Sequence, residues 1–313
     1  MPEWAVDRDS MLRHFFLFLS RRRALRRWME TSSIPRKMIR RFVAGQTLDD
    51  AIRVCRDLAA SGYLSTLDHL GENVTTKAEA EASRDSMLAA LDGLKAAGLG
   101  SSVSVKLTQF GLDLSPDLCL ELVGALAERA GSTGTRVEVD MESSEYTAAT
   151  LDIVQKLHEK RCPVRAVLQA YLFRTEADAR RLSQARIPVR LCKGAYNEAG
   201  DVAFLAKADV DRYFIKVASL LMDEGVYAAI ATHDPKMIEA VLDYSRVKEC
   251  GPERFEFQML YGVRRDLQQI LVDQGWRVRL YVPYGAAWYP YFMRRLAERP
   301  ANVLFIARNF FRR

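Results

Sequence analysis

Cysteine, histidine and long apolar runs are all scarce in this chain of 313 residues, and each shortage excludes something. The five cysteines, Cys55, Cys119, Cys162, Cys192 and Cys250, stand far apart with no CxxC spacing. Neither a zinc site nor a thiol redox motif is indicated, and an odd, scattered set reads as buried thiols in a reducing cytosol. Four histidines occur, none in an HxxxH pair, so no metal is expected. Lys and Arg number 46 against 40 Asp and Glu, a net +6 with no stripe of basic and aromatic residues. No nucleic-acid partner is expected from so mild and scattered an excess. The apolar run His14 to Leu19 is far shorter than the ~20 residues a bilayer span needs, and Arg21, Arg22 and Arg23 follow it. No secretory signal is visible, so the expected location is the cytoplasm. This basic, aromatic segment has two readings: an amphipathic helix packed on the domain, or a peripheral contact at the inner face of the cell membrane.

What is present is an ordinary globular composition, 49% hydrophobic and 27% charged. From about residue 60 a unit recurs: a short β-branched or apolar run, a turn, a helical pattern, then Gly or Pro. Tyr63 to Leu70 supplies the first strand, and Lys77 to Ala97 its helix, with Met87, Leu88, Leu91 and Leu94 on one face. Further strands are expected at Ser101 to Phe110, Arg136 to Met141, Val164 to Leu172, Pro188 to Tyr196, Val226 to Asp234, Phe255 to Val263 and Arg277 to Gly285. Ser115, Pro116 and Asp117 spell a helix start: an oxygen cap, a first-turn proline and an acid at the positive end. Eight strands alternating with helices argue for parallel pairing through right-handed crossovers. Eight such units fit a (β/α)8 barrel of the TIM type, distorted and preceded by extra helices. A doubly wound open sheet is the runner-up; it loses because no GxGxxG follows any expected strand. The expected division is a helical segment at 1–60 packing on a catalytic barrel at 61–313.

Barrel enzymes keep their chemistry where strands end and loops begin. The polar residues there are Glu72, Lys106, Asp140, Gln169, Arg190, Lys193, Thr232, His233, Gln258 and Tyr281. A strand buried among helices should be mostly apolar, so this ring marks an active site. Arg190, Lys193 and Gly194 suit an anionic or electron-rich ligand, such as a cofactor pyrophosphate or a reduced ring. Arg190 has a second reading, a cation paired with Asp140 across the barrel. In the last unit Tyr291, Arg294, Arg295 and Glu298 share one helix face at i, i+3, i+4 and i+7. They follow an aromatic loop, Tyr281 to Pro290, that continues a strand and aims the arginines at the barrel mouth. A guanidinium fork grips a carboxylate, and the tyrosines wall an apolar ring. The ligand implied is small, anionic at one end and apolar at the other.

Arg190 to Tyr196, Phe255 to Gly262 and Tyr291 to Arg295 resemble the corresponding stretches of the proline dehydrogenase family, in its short monofunctional bacterial form. The resemblance covers the chain from about residue 40 onward. It implies an FAD enzyme that oxidises L-proline to Δ1-pyrroline-5-carboxylate and passes electrons to a membrane quinone. By motif, Arg294 and Arg295 resemble the clamp on the proline carboxylate, and Lys106 and Asp140 the charged groups beside the substrate. Tyr281 and Tyr291 resemble aromatic walls, with Tyr281 crowding a ring hydroxyl and so favouring plain proline. Glu72 resembles the acid that pairs with the first arginine and gates the pocket. Met141, Gln169, Arg190, Lys193, Gly194, Ala195, Thr232, His233, Gln258 and Leu260 resemble FAD contacts, with Arg190 at the reactive edge of the flavin. One departure is Asn197, where larger bifunctional relatives carry tryptophan. The aldehyde dehydrogenase part of those relatives is missing too, so a separate pyrroline-5-carboxylate dehydrogenase is expected downstream. Two rival readings are a Schiff-base aldolase using Lys106 or Lys193, and a basic adaptor with Arg-rich ends.

Overall fold

The computed structural model describes residues 40–71 and 74–298, the side chains of 294–298 excepted. Eight strands run β1 Leu64–His69, β2 Ser102–Val105, β3 Val137–Val139, β4 Val164–Gln169, β5 Val189–Cys192, β6 Ala228–Ala231, β7 Phe255–Leu260 and β8 Val278–Tyr284. Helix α1, Leu48–Ala60, precedes β1. A helix follows each strand in turn: α2 Lys77–Ala96, α3 Pro116–Ser132, α4 Thr147–Glu159, α5 Thr175–Gln184, α6 Lys207–Glu224, α7 Pro235–Val247, α8 Arg265–Asp273 and α9 Trp288–Glu298. All strands pair in parallel in chain order, and β8 closes on β1 from Leu64↔Arg279 to His69↔Tyr284. The fold is the (β/α)8 barrel expected. Of the expected amino-terminal helical segment, residues 1–39, with the run His14 to Arg23, lie outside the described residues.

The oxygen cap expected at Ser115 is present, and α2 has one as well. Ser115 Oγ accepts from Leu118 N–H at 3.3 Å, with Pro116 in the first turn. Thr76 and Glu79 cap each other reciprocally at α2. The inner face of α2 buries Met87, Leu91 and Leu94, while Leu88 is half-buried. The strands fall short of the predicted runs at their carboxyl ends. Ser101 to Phe110, for example, leaves strand geometry after Val105 and enters a 3-10 turn at Leu107–Phe110. The residues trimmed from the strands, among them Lys106, Asp140, Lys193, Thr232 and His233, form the barrel mouth.

The barrel is distorted at its seam. Helix α1 packs outside β1 and β8, the slot a regular barrel gives to its last helix. Helix α9 instead brings Tyr291 into the wall of the cavity at the mouth. Trp288, Tyr289, Phe292 and Met293 bury the rest of its described face, with Phe292 and Phe42 ring centroids 6.2 Å apart. Among the described residues, no helix is long and apolar enough to cross a membrane.

Gly262, in the turn after β7, ties the segment before α1 to the barrel. Its φ is +77°, and an added Cβ would stand 1.7 Å from the carbonyl oxygen of Arg41. Backbone conformation and contact both demand glycine here. Gly262→Ala should cost more than ~1 kcal/mol, measured by urea denaturation; a neutral result would contradict this packing.

Candidate active site

The inward positions of a closed barrel are usually filled by branched apolar side chains. Here they carry a row of opposite charges. Arg279 Nε donates to Glu256 at 2.8 Å, and Arg165 Nη1 to Glu256 at 2.7 Å and Glu138 at 3.2 Å. Glu138 also pairs with Arg190, whose Nη1 donates to Asp140 at 2.5 Å. The Tyr281 hydroxyl donates to Asp140 Oδ2 at 2.7 Å, and Ser104 Oγ to Oδ1 at 2.8 Å. Arg165 and Glu138 are wholly buried.

Burial alone would raise the Glu138 carboxyl. Arg190, Arg165 and Arg279 overturn that and hold it far below the usual carboxylate range. Glu256 is lowered in the same way, by Arg279 and Arg165. Burial opposes the Arg190 charge, but Glu138 and Asp140 outweigh it and keep the guanidinium protonated. Burial and then Asp140 push the Tyr281 phenol well above its ordinary value, so it remains a donor.

Above this row lies a cavity of about 730 Å³, within the range of small-molecule sites. Of the predicted site residues, Lys106, Asp140, Met141, Gln169, Arg190, Lys193, Gly194, Ala195, His233, Gln258, Leu260, Tyr281 and Tyr291 line it. Arg190 is thus paired with Asp140 across the barrel and also lines the cavity. Thr232 is not in the lining; it is buried, and its hydroxyl accepts from Asp234 N–H at 3.1 Å where α7 begins. Glu72 lies outside the described residues. Arg294 and Arg295 sit on α9 three and four residues after Tyr291, with side chains outside the described set.

Several lining residues were missed from sequence, among them Asp68, Thr108, Glu142 and Tyr196. Glu142 follows Asp140 by two residues; that spacing was the available signal. Burial raises its carboxyl, although Thr108 donates to it through Oγ1 at 2.6 Å. Glu138, Arg165, Glu256 and Arg279 were missed as well. Each is the second residue of its strand, below the mouth, where period-two alternation puts its side chain on the inner face.

The wall has features that bear on which ligand it could take. Gly194 has φ +109°, and an added Cβ would come within 2.3 Å of the Tyr171 ring, so only glycine lets the backbone pass there. Glu198 braces this loop by accepting from Ser144 N–H at 2.8 Å and from the Tyr171 hydroxyl at 3.3 Å. The exposed Asn197 lies outside the lining, while its neighbour Tyr196 is part of it. His233 Nε2 accepts from Leu260 N–H at 2.8 Å, which leaves the neutral ring's proton on Nδ1. Arg190 Nε is buried with no hydrogen-bond partner among the described residues. Lys193 pairs with Asp211 and, at 2.9 Å, with Asp234. That arrangement suits a fixed cation and not a Schiff-base nucleophile. Among the described residues, no cluster of His, Cys, Asp and Glu is arranged to hold a metal ion.

Comparisons with known proteins converge on one family. The family model described as proline dehydrogenase matches residues 51–308. Proline dehydrogenase 1 of Bacillus subtilis (strain 168) is 38% identical over 303 residues, 97% of this chain and 100% of that protein. The proline dehydrogenase of Deinococcus radiodurans is 37% identical over 271 residues, 85% of this chain and 87% of that one. The crystal structure of proline utilization A from Bdellovibrio bacteriovorus, inactivated by N-propargylglycine, superposes with a TM-score of 0.79 at 24% identity. It matches 84% of this chain, which spans 33% of that longer protein, and it supports the fold.

The buried row makes a stability prediction. Glu138→Ala leaves Arg165 and Arg190 short of a buried carboxylate and should cost about 3–5 kcal/mol in urea denaturation. Glu138 and Glu256 have depressed folded values against an ordinary 4.5. Their contribution is therefore complete above that value and is lost as pH falls towards the folded ones. Stability measured from pH 7 to pH 3 should begin to fall near pH ~4.5, and less steeply in Glu138→Gln. A flat wild-type profile would be incompatible with this ionic interior.

Proposed function

The chain belongs to the proline dehydrogenase family, and from that premise we propose that it is a flavoenzyme oxidising L-proline to Δ1-pyrroline-5-carboxylate. FAD is the oxidant and a membrane quinone the final electron acceptor. The observation that carries this reading is the Tyr281–Asp140–Arg190 unit at the base of the cavity. It sets a fixed carboxylate and a fixed guanidinium side by side, with Tyr291 of α9 in the same wall.

FAD, when bound, supplies a two-electron acceptor for hydride. Met141, Gln169, Arg190, Lys193, Gly194, Ala195, His233, Gln258 and Leu260 would hold it from the walls of the cavity. Thr232 would join them, although its hydroxyl serves the α7 start. Arg190 keeps a positive charge there, which favours negative charge developing beside it. Arg294 and Arg295 would take the substrate carboxylate, and Lys106, Tyr281 and Tyr291 would confine its ring. Glu72 would close over the pocket by pairing with Arg294. Asp140, held by Arg190, Ser104 and Tyr281, balances cationic charge in the pocket without needing to move. The product passes to a separate pyrroline-5-carboxylate dehydrogenase, and quinone reduction brings the protein to the inner membrane face.

The purified protein should show flavin absorption bands that bleach on anaerobic addition of L-proline. A colourless protein that takes up no FAD would overturn the proposal. Arg295→Met should raise KM for proline about 10- to 100-fold, the loss of a charge-assisted pair, with the flavin retained. Unchanged kinetics would remove Arg295 from the carboxylate clamp.

A further inference from the structure

The proposed reaction uses only the carboxyl-terminal mouth of the barrel. At the opposite end lies a second cavity, of about 790 Å³, walled by Arg136, Tyr227, Trp276, Arg277 and Arg279 together with Glu253 and Glu256. Arg136 immediately precedes β3, Tyr227 precedes β6, and Trp276 and Arg277 precede β8. These positions put the cavity at the amino-terminal ends of the strands, remote from the proposed chemistry.

Its charges do not balance locally. Glu256 is taken up by Arg165 and Arg279 inside the barrel. Glu253 accepts from Gly251 N–H at 3.0 Å within its own turn. Arg136 is half-buried, and among the described residues its guanidinium makes no hydrogen bond or ion pair. Burial and then the neighbouring Arg165 disfavour its charge, so Arg136 sits in a position that an anion would relieve. Arg277 is exposed, and among the described residues its one hydrogen bond goes to the Tyr227 hydroxyl, at 3.3 Å. Two forked donors are thus available across one concave surface, whose lining also includes the flat side chains of Trp276 and Tyr227.

We infer that this amino-terminal cavity binds a small multiply charged anion, a polycarboxylate or a phosphate, with Arg136 and Arg277 as anchors. Such a ligand would sit beside Arg279 and Glu256, the lower end of the charge row that rises to Arg190. The inference does not depend on the proposed reaction.

The test is calorimetric titration of the purified full chain with citrate and with inorganic phosphate, ionic strength being held constant with KCl. Thermal melts run in parallel. A saturable site that raises Tm with anion concentration is expected. Arg136→Gln and Arg277→Gln should each weaken binding about tenfold or more. Neither change removes a partner that the fold uses, apart from the Arg277–Tyr227 contact. Arg212→Gln, on an exposed cation of α6 outside the cavity, should leave binding unchanged. Binding of citrate alone identifies a polycarboxylate site, and binding of phosphate alone a phosphate site. Binding of neither overturns the inference, whatever fills the cavity instead. Binding that survives in both cavity variants places the anion elsewhere and overturns it equally.

Discussion

Glu138 accepts from Ser102 and Arg165 and pairs with Arg190, all inside a closed barrel and away from water. Removing such charges from water costs several kcal/mol per ion, so each must be met by an opposite charge in good geometry. Glu138 meets that condition on two sides. It faces Arg165 towards the barrel's lower half and Arg190 towards the mouth. Hydrophobic residues in place of the whole row would pack as well or better for stability, yet nothing would then hold a cation at the base of the cavity. The interior is therefore arranged around holding a guanidinium at the base of the cavity in one position, which apolar layers could not do.

The seam of the barrel serves the same end from outside. With α1 occupying the slot beside β1 and β8, α9 is free to approach the mouth and place Tyr291 in the wall. Tyr281 rises from β8 to bond Asp140, and its ring lies 5.6 Å from the Arg190 guanidinium carbon. One face of the cavity thus comes from strands fixed by the charge row, and another from a helix displaced from its regular place. Gly262 links the two, since it packs the segment leading into α1 against the turn after β7.

The barrel was legible because its signals are local. Alternation marks strands, and Ser115, Pro116 and Asp117 mark a helix start within three residues. The ring of site residues was legible from one rule, that barrel chemistry sits at strand ends. The same rule hid Glu138, Arg165, Glu256 and Arg279, which lie deeper on the same inner faces. Thr232 carries two signals at once: it stands at a strand end, and with Asp234 and Pro235 it makes a helix start, towards which the structure turns its hydroxyl. The Tyr281–Asp140 bond spans 141 positions of sequence, and no local pattern specifies it. Only closure of the barrel brings the two together.

The charge row also decides how substitutions in this site should be read. Glu138, Asp140 and Glu256 face Arg165, Arg190 and Arg279, so three negative charges meet three positive ones. The row is neutral as a whole, and the field it sends into the cavity comes from the order of its charges, not from an excess. Neutralising any one member leaves a net charge that its buried neighbours must share, because each pairs with the next. Asp140 and Arg190 therefore belong at once to the cavity wall and to the supporting structure. The effects of changing them separately will not add, since each removes the partner through which the other acts.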